Sequence, residues 1–235
     1  MAEKTAEHAR DNGALDITVL GERLSLLPQR ALLWRARKML VVADIHFGKA
    51  AAFRAGGIPV PHGTTRANLD ALEALVTAHE VRHIVFLGDF LHAKTARAPA
   101  TLLAVQRWRD RHPDLQLTLV RGNHDRHAGD PPPQLKVDVV DEPWRVGSLA
   151  LCHFPRPPRP QEQAGAYVLA GHVHPVVRLA VGRDSLRLPC FVFGAAQATL
   201  PAFGAFTGGH EVAGQAGEQL FVCTDERVFA YPRPA

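Results

Sequence analysis

Five short segments of this 235-residue chain end in side chains that bind metals: Asp44-Ile45-His46, Gly88-Asp89, Gly122-Asn123-His124-Asp125, Cys152-His153 and Gly171-His172-Val173-His174. Together they offer carboxylate and carboxamide oxygens and imidazole nitrogens, a donor set that suits Mn²⁺, Fe or Zn²⁺ better than Cu(I). The candidate ligands are Asp44, His46, Asp89, Asn123, His153, His172 and His174. These exceed what one tetrahedral ion takes and suit two ions that share a ligand. Asp89 is central in the set, and a carboxylate has two oxygens with which to bridge. Two ions about 3.5–4 Å apart can hold a bridging hydroxide and clamp a phosphoryl oxygen. They stabilise the attacking oxygen and the charge that develops at phosphorus. The leaving alkoxide then needs a proton. His124, beside Asn123, is the candidate acid, and Asp125 the candidate to orient its ring.

Taken singly, an Asp-x-His or a Gly-Asp carries no information. Gly171-His172-Val173-His174 says more, because strand alternation would put both imidazoles on one side. Gly122-Asn123-His124-Asp125 after a buried strand says more again. The five in this order are hard to obtain by chance.

Each segment follows an apolar run of strand length, so the strands must deliver the ligands to one end of a sheet. Met39 to Ala43, Ile84 to Leu87 and Leu117 to Val120 are continuous apolar or near-apolar runs, the pattern of strands buried on both faces. Between them, Thr64 to Ala78 places Leu69, Leu72, Leu75 and Val76 at helical spacing, with Thr64 or Thr65 to cap it. A second helix runs from about Pro99, with Leu102, Leu103, Val105 and Trp108 on its apolar side and His112-Pro113 as its stop. Alternating strands and helices imply right-handed crossovers and a parallel sheet, the α/β class. Upstream, the runs at 16–20 and 24–27 predict a hairpin across Gly21.

The second half has short strands at Val137–Val140, Trp144–Val146, Ala150–His153, Tyr167–Gly171, Val176–Val181, Leu186–Phe193, Leu220–Cys223 and Val228–Tyr231. Helical periodicity is scarce there, so a mostly antiparallel second sheet should pack on the first. The proline-rich stretch from Pro155 to Pro160 reads as a loop bordering the site. Residues 1–13 read as a flexible tail and 14–235 as a single domain.

Composition narrows the classes. Hydrophobic residues make up 46%, which fits a globular chain. No apolar run approaches a membrane span, and residues 1–13 lack the apolar stretch of a secretory signal. The three cysteines, Cys152, Cys190 and Cys223, form no CxxC pair. That argues against a thiolate zinc site and a disulfide framework, and fits a reducing cytoplasm. Cys152, although beside His153, reads as core packing. Net charge of +4 and a pI near 9.2 permit a phosphate-bearing partner without requiring one.

The pattern DxH … GD … GNHD … H … GHxH over residues 39 to 175 resembles the calcineurin-like metallophosphoesterase superfamily. More narrowly, the chain resembles the bacterial ligase-associated DNA damage response endonucleases. This resemblance rests on Leu27-Pro28-Gln29-Arg30-Ala31, Ala43 to Ala50, Phe53-Arg54, Ile58 to Gly63, and Leu200 to Gly209. It implies a sandwich of two packed mixed β-sheets flanked by helices. It implies two divalent ions, in that family taken to be manganese. Asp44, His46, Asp89 and His174 would hold the first; Asp89, Asn123, His153 and His172 would hold the second. His124 would be the catalytic histidine. A DNA ligase, a helicase and an exonuclease would be encoded nearby. One departure is visible: many superfamily members read Gly-Asp-x-x-Asp where this chain has Gly88-Asp89-Phe90-Leu91-His92. His92 either replaces that aspartate or is an ordinary loop residue.

On the substrate side, Lys49, Arg54, His62, Arg97, Arg126 and His127 follow ligand segments and could contact phosphates. Phe203 and Phe206, in a Gly-rich loop, either stack on a base or anchor the loop. No sequence-reading DNA-binding pattern is present. The leading expectation is a metal-dependent phosphodiesterase acting on DNA or a nucleotide-like diester. The competing ones are a phosphoesterase or pyrophosphatase for a small nucleotide or lipid precursor, and a non-catalytic scaffold in a repair complex.

Overall fold

The computed structural model describes residues 6–9, 12–60, 63–156, 165–182 and 184–231. The first sheet has eight strands in chain order: β1 (Ala6–Ala9), β2 (Leu15–Val19), β3 (Glu22–Leu27), β4 (Ala31–Trp34), β5 (Met39–Ala43), β6 (His83–Leu87), β7 (Gln116–Val120) and β8 (Asp138–Val140). The strands from β1 to β5 form an antiparallel meander. From β5 to β8 all neighbours are parallel. Helices α1 (Lys49–Ala55), α2 (Thr64–Ala78) and α3 (Pro99–Arg111) lie in the crossovers, and the short α4 (Asn123–Ala128) follows β7.

The second sheet holds β9 (Trp144–Val146), β10 (Leu149–Leu151), β11 (Tyr167–Ala170), β12 (Pro175–Val181), β13 (Asp184–Phe193), β14 (Gln197–Thr199), β15 (His210–Glu211), β16 (Gln219–Cys223) and β17 (Val228–Ala230). Most of its pairs are antiparallel, but β10–β11, β11–β14 and β12–β15 are parallel.

Strand alternation sorts the core into two layers. On β5, Leu40 and Val42 face the helices, packing with Leu72, Leu75 and Trp108. Met39, Val41 and Ala43 face the second sheet, packing with Leu149, Leu151, Tyr167, Phe191 and Phe193. A run apolar on both faces is therefore what this position demands. Each such side chain contributes about 1.5–3 kcal/mol by leaving water. Among the described residues, no helix is long and apolar enough to cross a membrane.

Several expectations need correction. The Val137–Val140 run, expected in the second sheet, forms β8 at the edge of the first, where it pairs with the exposed backbone of β7. Leu103 is half exposed, because it lies off the stripe that Val105 and Trp108 bury. Neither Thr64 nor Thr65 caps α2: the N-cap is Gly63, and Thr65 Oγ1 instead accepts the Gly48 N–H at 3.2 Å. Residues 6–9, in the segment read as a tail, pair as an edge strand on β2. His62 and most of the 155–160 stretch lie outside the described residues.

Candidate metal centre

All five ligand segments stand at C-terminal strand ends, the usual place for a site in an α/β sheet. The registers Ala43↔Leu87 and Leu87↔Val120 bring the ends of β5, β6 and β7 level. The register Leu151↔Leu169 does the same for β10 and β11. The His172 N–H donates to Asp44 Oδ2 at 2.8 Å, so the second sheet is tied to the first through a candidate ligand.

Two glycines let the strands approach this closely. Gly88 has φ +79°, and a Cβ there would lie 2.1 Å from His153 Nδ1. A Cβ on Gly171 would lie 2.7 Å from Asp44 Oδ2. The candidate ligands themselves hold uncommon backbone. Asp44, His46, Asp89, His172 and His174 all have φ between 48° and 70°. Such residues cost about 1–3 kcal/mol each and persist where the surroundings fix them. The pair His172 and His174 therefore does not work by strand alternation, as expected: both lie in the left-handed turn between β11 and β12.

The histidine tautomers follow from the backbone. His153 Nδ1 donates to Leu87 O at 3.0 Å and His174 Nδ1 donates to Gly208 O at 3.2 Å. In a neutral ring so held, Nε2 carries the lone pair, the form that binds a cation. Around His153 Nε2 stand Asn123 Oδ1 at 2.8 Å, His172 Nδ1 at 3.1 Å and Asp89 Oδ1 at 3.6 Å. On the other side, His174 Nε2 is 3.5 Å from Asp44 Oδ1, and His46 Nε2 is 3.7 Å from Asp89 Oδ2. Asp89 thus turns one oxygen to each group.

Electrostatics make the same point. Asp44, Asp89 and His153 are almost fully buried. Burial, with Asp44 adding to it and His153 opposing, pushes the Asp89 carboxyl up to about 6. Burial, then Lys49 and the neighbouring rings, pushes His46 far below its ordinary range, so it stays neutral. Among the described residues, Asp44 Oδ1 and His46 Nδ1 are buried without a hydrogen-bond partner. Two adjacent buried carboxylates and an arc of imidazole lone pairs are costly alone and are satisfied by cations. The groups Asp44/His46/His174 and Asp44/Asp89/His153 each gather their ligand atoms within 4.8 Å. The residues present fit divalent ions.

His124 lies at the rim. Its Nδ1 donates to His92 O at 2.6 Å, and its Nε2 lies 3.9 Å from Asp89 Oδ2. The His92 ring stacks on it at 4.9 Å, and Phe53 stacks behind His92 at 5.7 Å. His92 therefore does more than fill a loop: its carbonyl and its ring both set the His124 ring.

Asp125 does not orient that ring, and here the expectation was wrong. Its carboxylate accepts backbone N–H groups from Asp89 at 2.8 Å, Phe90 at 2.9 Å and Gly122 at 2.9 Å. It occupies N3 of α4, where a carboxylate reaches back to the N-cap backbone. Asp125 holds the turn that follows β6 and the β7–α4 corner together.

The basic residues divide. Lys49, half-buried in the first turn of α1, feels both Asp44 and Asp89. The Arg54 guanidinium donates to Val60 O at 3.4 Å. Arg97 Nη1 donates to Ala128, Gly129 and Asp130 carbonyls, closing the end of α4. Arg126 and His127 are exposed on α4, and the His127 ring donates to Asn123 O at 2.7 Å. Phe203 is buried in the core and anchors its loop. Phe206 is half-buried, edge-on to Phe53 at 5.9 Å.

Three contributors escaped the sequence reading. Glu142 accepts the N–H groups of His153 and Phe154 at 2.7 and 3.0 Å. Phe154 is exposed and lies 4.4 Å from the His172 ring. Asn68 donates to Ile45 O at 2.9 Å and accepts from Ala205 N at 2.8 Å. A polar residue in the same stripe as Leu72, Leu75 and Val76 was the available signal for Asn68. Glu142 and Phe154 had none.

A family model described as calcineurin-like phosphoesterase matches residues 37–159. Among solved structures, the nuclease MPE of Pseudomonas putida is 44% identical over 97% of this chain and 100% of its own, with a TM-score of 0.78. A protein of unknown function from Aquifex aeolicus is 17% identical over 58% of this chain and 78% of its own, TM-score 0.40. The E. coli phosphoesterase Yfce is 16% identical over 82% of this chain and 96% of its own, TM-score 0.39. No curated protein matches the chain.

Proposed function

The chain belongs to the calcineurin-like phosphoesterase family, and from that premise we propose that it is a two-metal phosphodiesterase that cuts nucleic acid, DNA in the first instance. The observation that carries the reading is the arc of imidazole nitrogens facing the two oxygens of Asp89. The nuclease relative supports the substrate class.

We assign Asp44, His46, Asp89 and His174 to one ion and Asp89, Asn123, His153 and His172 to the other. Manganese is our choice of metal; the oxygen and nitrogen donors also suit iron or zinc. Bound there, the ions would act as Lewis acids on the phosphoryl oxygens and supply an activated water. The protein's own tasks are separate. Backbone carbonyls hold the rings of His153 and His174 through Nδ1, so their Nε2 atoms need no rearrangement. His124, held through Nδ1 by His92 O, presents Nε2 to give a proton to the leaving oxygen. Lys49 adds positive charge beside the carboxylates and favours an approaching phosphate. Arg126 and His127, exposed on α4, meet the substrate backbone. A role in DNA repair beside a ligase, a helicase and an exonuclease, in the cytoplasm, completes the proposal; the buried free cysteines are consistent with a reducing compartment.

A matrix of metals against substrates tests it. Chelated protein reloaded with Mn²⁺, Fe²⁺ or Zn²⁺ is assayed on an aryl phosphodiester, an aryl monoester and a DNA oligonucleotide. Metal-dependent hydrolysis of the diester and the oligonucleotide is expected. Activity confined to the monoester or to a pyrophosphate refutes the nuclease reading.

A further inference from the structure

Two segments that the sequence singled out, Leu27–Ala31 and Leu200–Gly209, lie outside the ligand set, yet they line one cleft. A cavity of about 600 Å³ is bounded by Gln29, Arg30, Asn68, Arg187, Phe203 and Asp225, among others. A second, of about 250 Å³, is bounded by Arg30, His174, Arg187 and Gly208, among others. Arg30, Arg187 and Pro189 line both. The cleft therefore starts at a candidate metal ligand, His174, and continues away from the centre past two guanidinium groups. The Gly-rich loop joins the two regions. Gly208 O accepts from His174 Nδ1 at 3.2 Å, and Gly209 O accepts from Arg187 Nη2 at 2.7 Å. Arg187 is thus held at one nitrogen and keeps its other donors.

Arg30 is the less ordinary residue. It closes the β3–β4 turn, where its N–H donates to Leu27 O at 3.0 Å. Its φ is 62°, a position that glycine or asparagine would take at less cost. The guanidinium is half-buried, and among the described residues it makes no hydrogen bond or ion pair. Burial lowers its pKa, against the smaller opposing effects of Cys223 and Asp225. A partly desolvated cation without a partner, on a strained backbone, is a feature that an incoming anion would satisfy.

We propose that this cleft is a subsite for a second substrate phosphate, next to the one attacked at the metal centre, with Arg30 and Arg187 holding its non-bridging oxygens. A guanidinium fork matches a phosphodiester anion. The inference rests on the nuclease reading, since only a substrate with successive phosphates fills both places.

The test uses the full chain with Mn²⁺, a single-stranded DNA oligonucleotide and bis(4-nitrophenyl) phosphate, which has one phosphate. The readout is the ratio of kcat/KM on the two substrates. Arg30→Gln and Arg187→Gln should each lower that ratio about tenfold, chiefly through KM on the oligonucleotide. The salt dependence of oligonucleotide cleavage should flatten by about one phosphate contact, and Arg30→Lys should recover part of the loss. Melting curves check folding. If Arg30→Gln does not fold, Arg187→Gln decides by the same ratio. Parallel losses on both substrates, or no loss on the oligonucleotide, overturn the subsite. Wild-type protein that cleaves the aryl diester but not the oligonucleotide overturns the nuclease reading, and the subsite with it.

Discussion

Replacing Asp125 with alanine separates two roles that the sequence leaves open. As a partner of the His124 ring, Asp125 would matter for turnover alone. As the residue that accepts three N–H groups from Asp89, Phe90 and Gly122, it would matter for folding and for the metal centre. The carboxylate is buried, so water cannot replace it in place. Each buried donor left without an acceptor costs about 1–3 kcal/mol, so three cost about 3–9 kcal/mol. A domain of this size holds about 5–15 kcal/mol in all. At about 2 °C per kcal/mol, the lower bound already lowers Tm by about 6 °C. Asp89 would lose its backbone anchor at the same time, so metal content should fall. The assay is a melting curve in chelator and in Mn²⁺, with metal content by elemental analysis. If Asp125→Ala keeps the wild-type Tm and both metals while turnover falls and the acid limb of the pH profile moves, the clamp is wrong and the ring partner is right.

Three further outcomes are expected. His124→Ala should keep both metals and slow hydrolysis of an aryl diester about 10²–10⁴-fold, the usual worth of a general acid; metal loss equal to that of an Asp89 variant would make His124 a ligand instead. Gly88→Ala should lose metal and stability together, since its Cβ would fall 2.1 Å from His153 Nδ1 on a backbone at φ +79°; a variant with full metal content and normal melting would show the corner to be more yielding than its geometry. For metal-free protein, Asp89 has a folded pKa of about 6 against an ordinary 3.8. Between those values the folded state binds more protons than the unfolded one, so Asp89's contribution to stability is lost as pH rises through that window. Chelator-treated Asp89→Asn should then gain on wild type by about 2 kcal/mol between pH 4 and pH 6; a gap that does not change with pH would refute the burial argument.

The sequence alone determined the candidate ligand types and the elements that carry them. Apolar runs ending at Ala43, Leu87 and Val120 specify buried parallel strands, because a sheet covered on both faces has no place for alternation. Side chains that follow such runs must lie at the sheet's end, so Asp44, Asp89 and Asn123 were legible as a set. The spacing of Leu69, Leu72, Leu75 and Val76 likewise specified α2. What the sequence misjudged was local and angular. A left-handed turn at His172 and His174 reads in one dimension like a strand, since nothing in the residue types marks φ.

Tertiary structure alone decided which neighbour each polar group meets. Asp125 and His124 are adjacent in sequence, yet the helix start at Asn123 turns one into the corner and the other to the rim. Arg97 meets the end of α4, and Arg30 and Arg187 meet across a cleft made by three separate parts of the chain. These pairings depend on sheet register and strand order, which sum many weak packing choices across the domain. No single segment encodes them. The candidate chemistry is therefore written in the residue types at strand ends, while the division into proposed ligand, acid, clamp and substrate contact exists only once the two sheets have closed on one another.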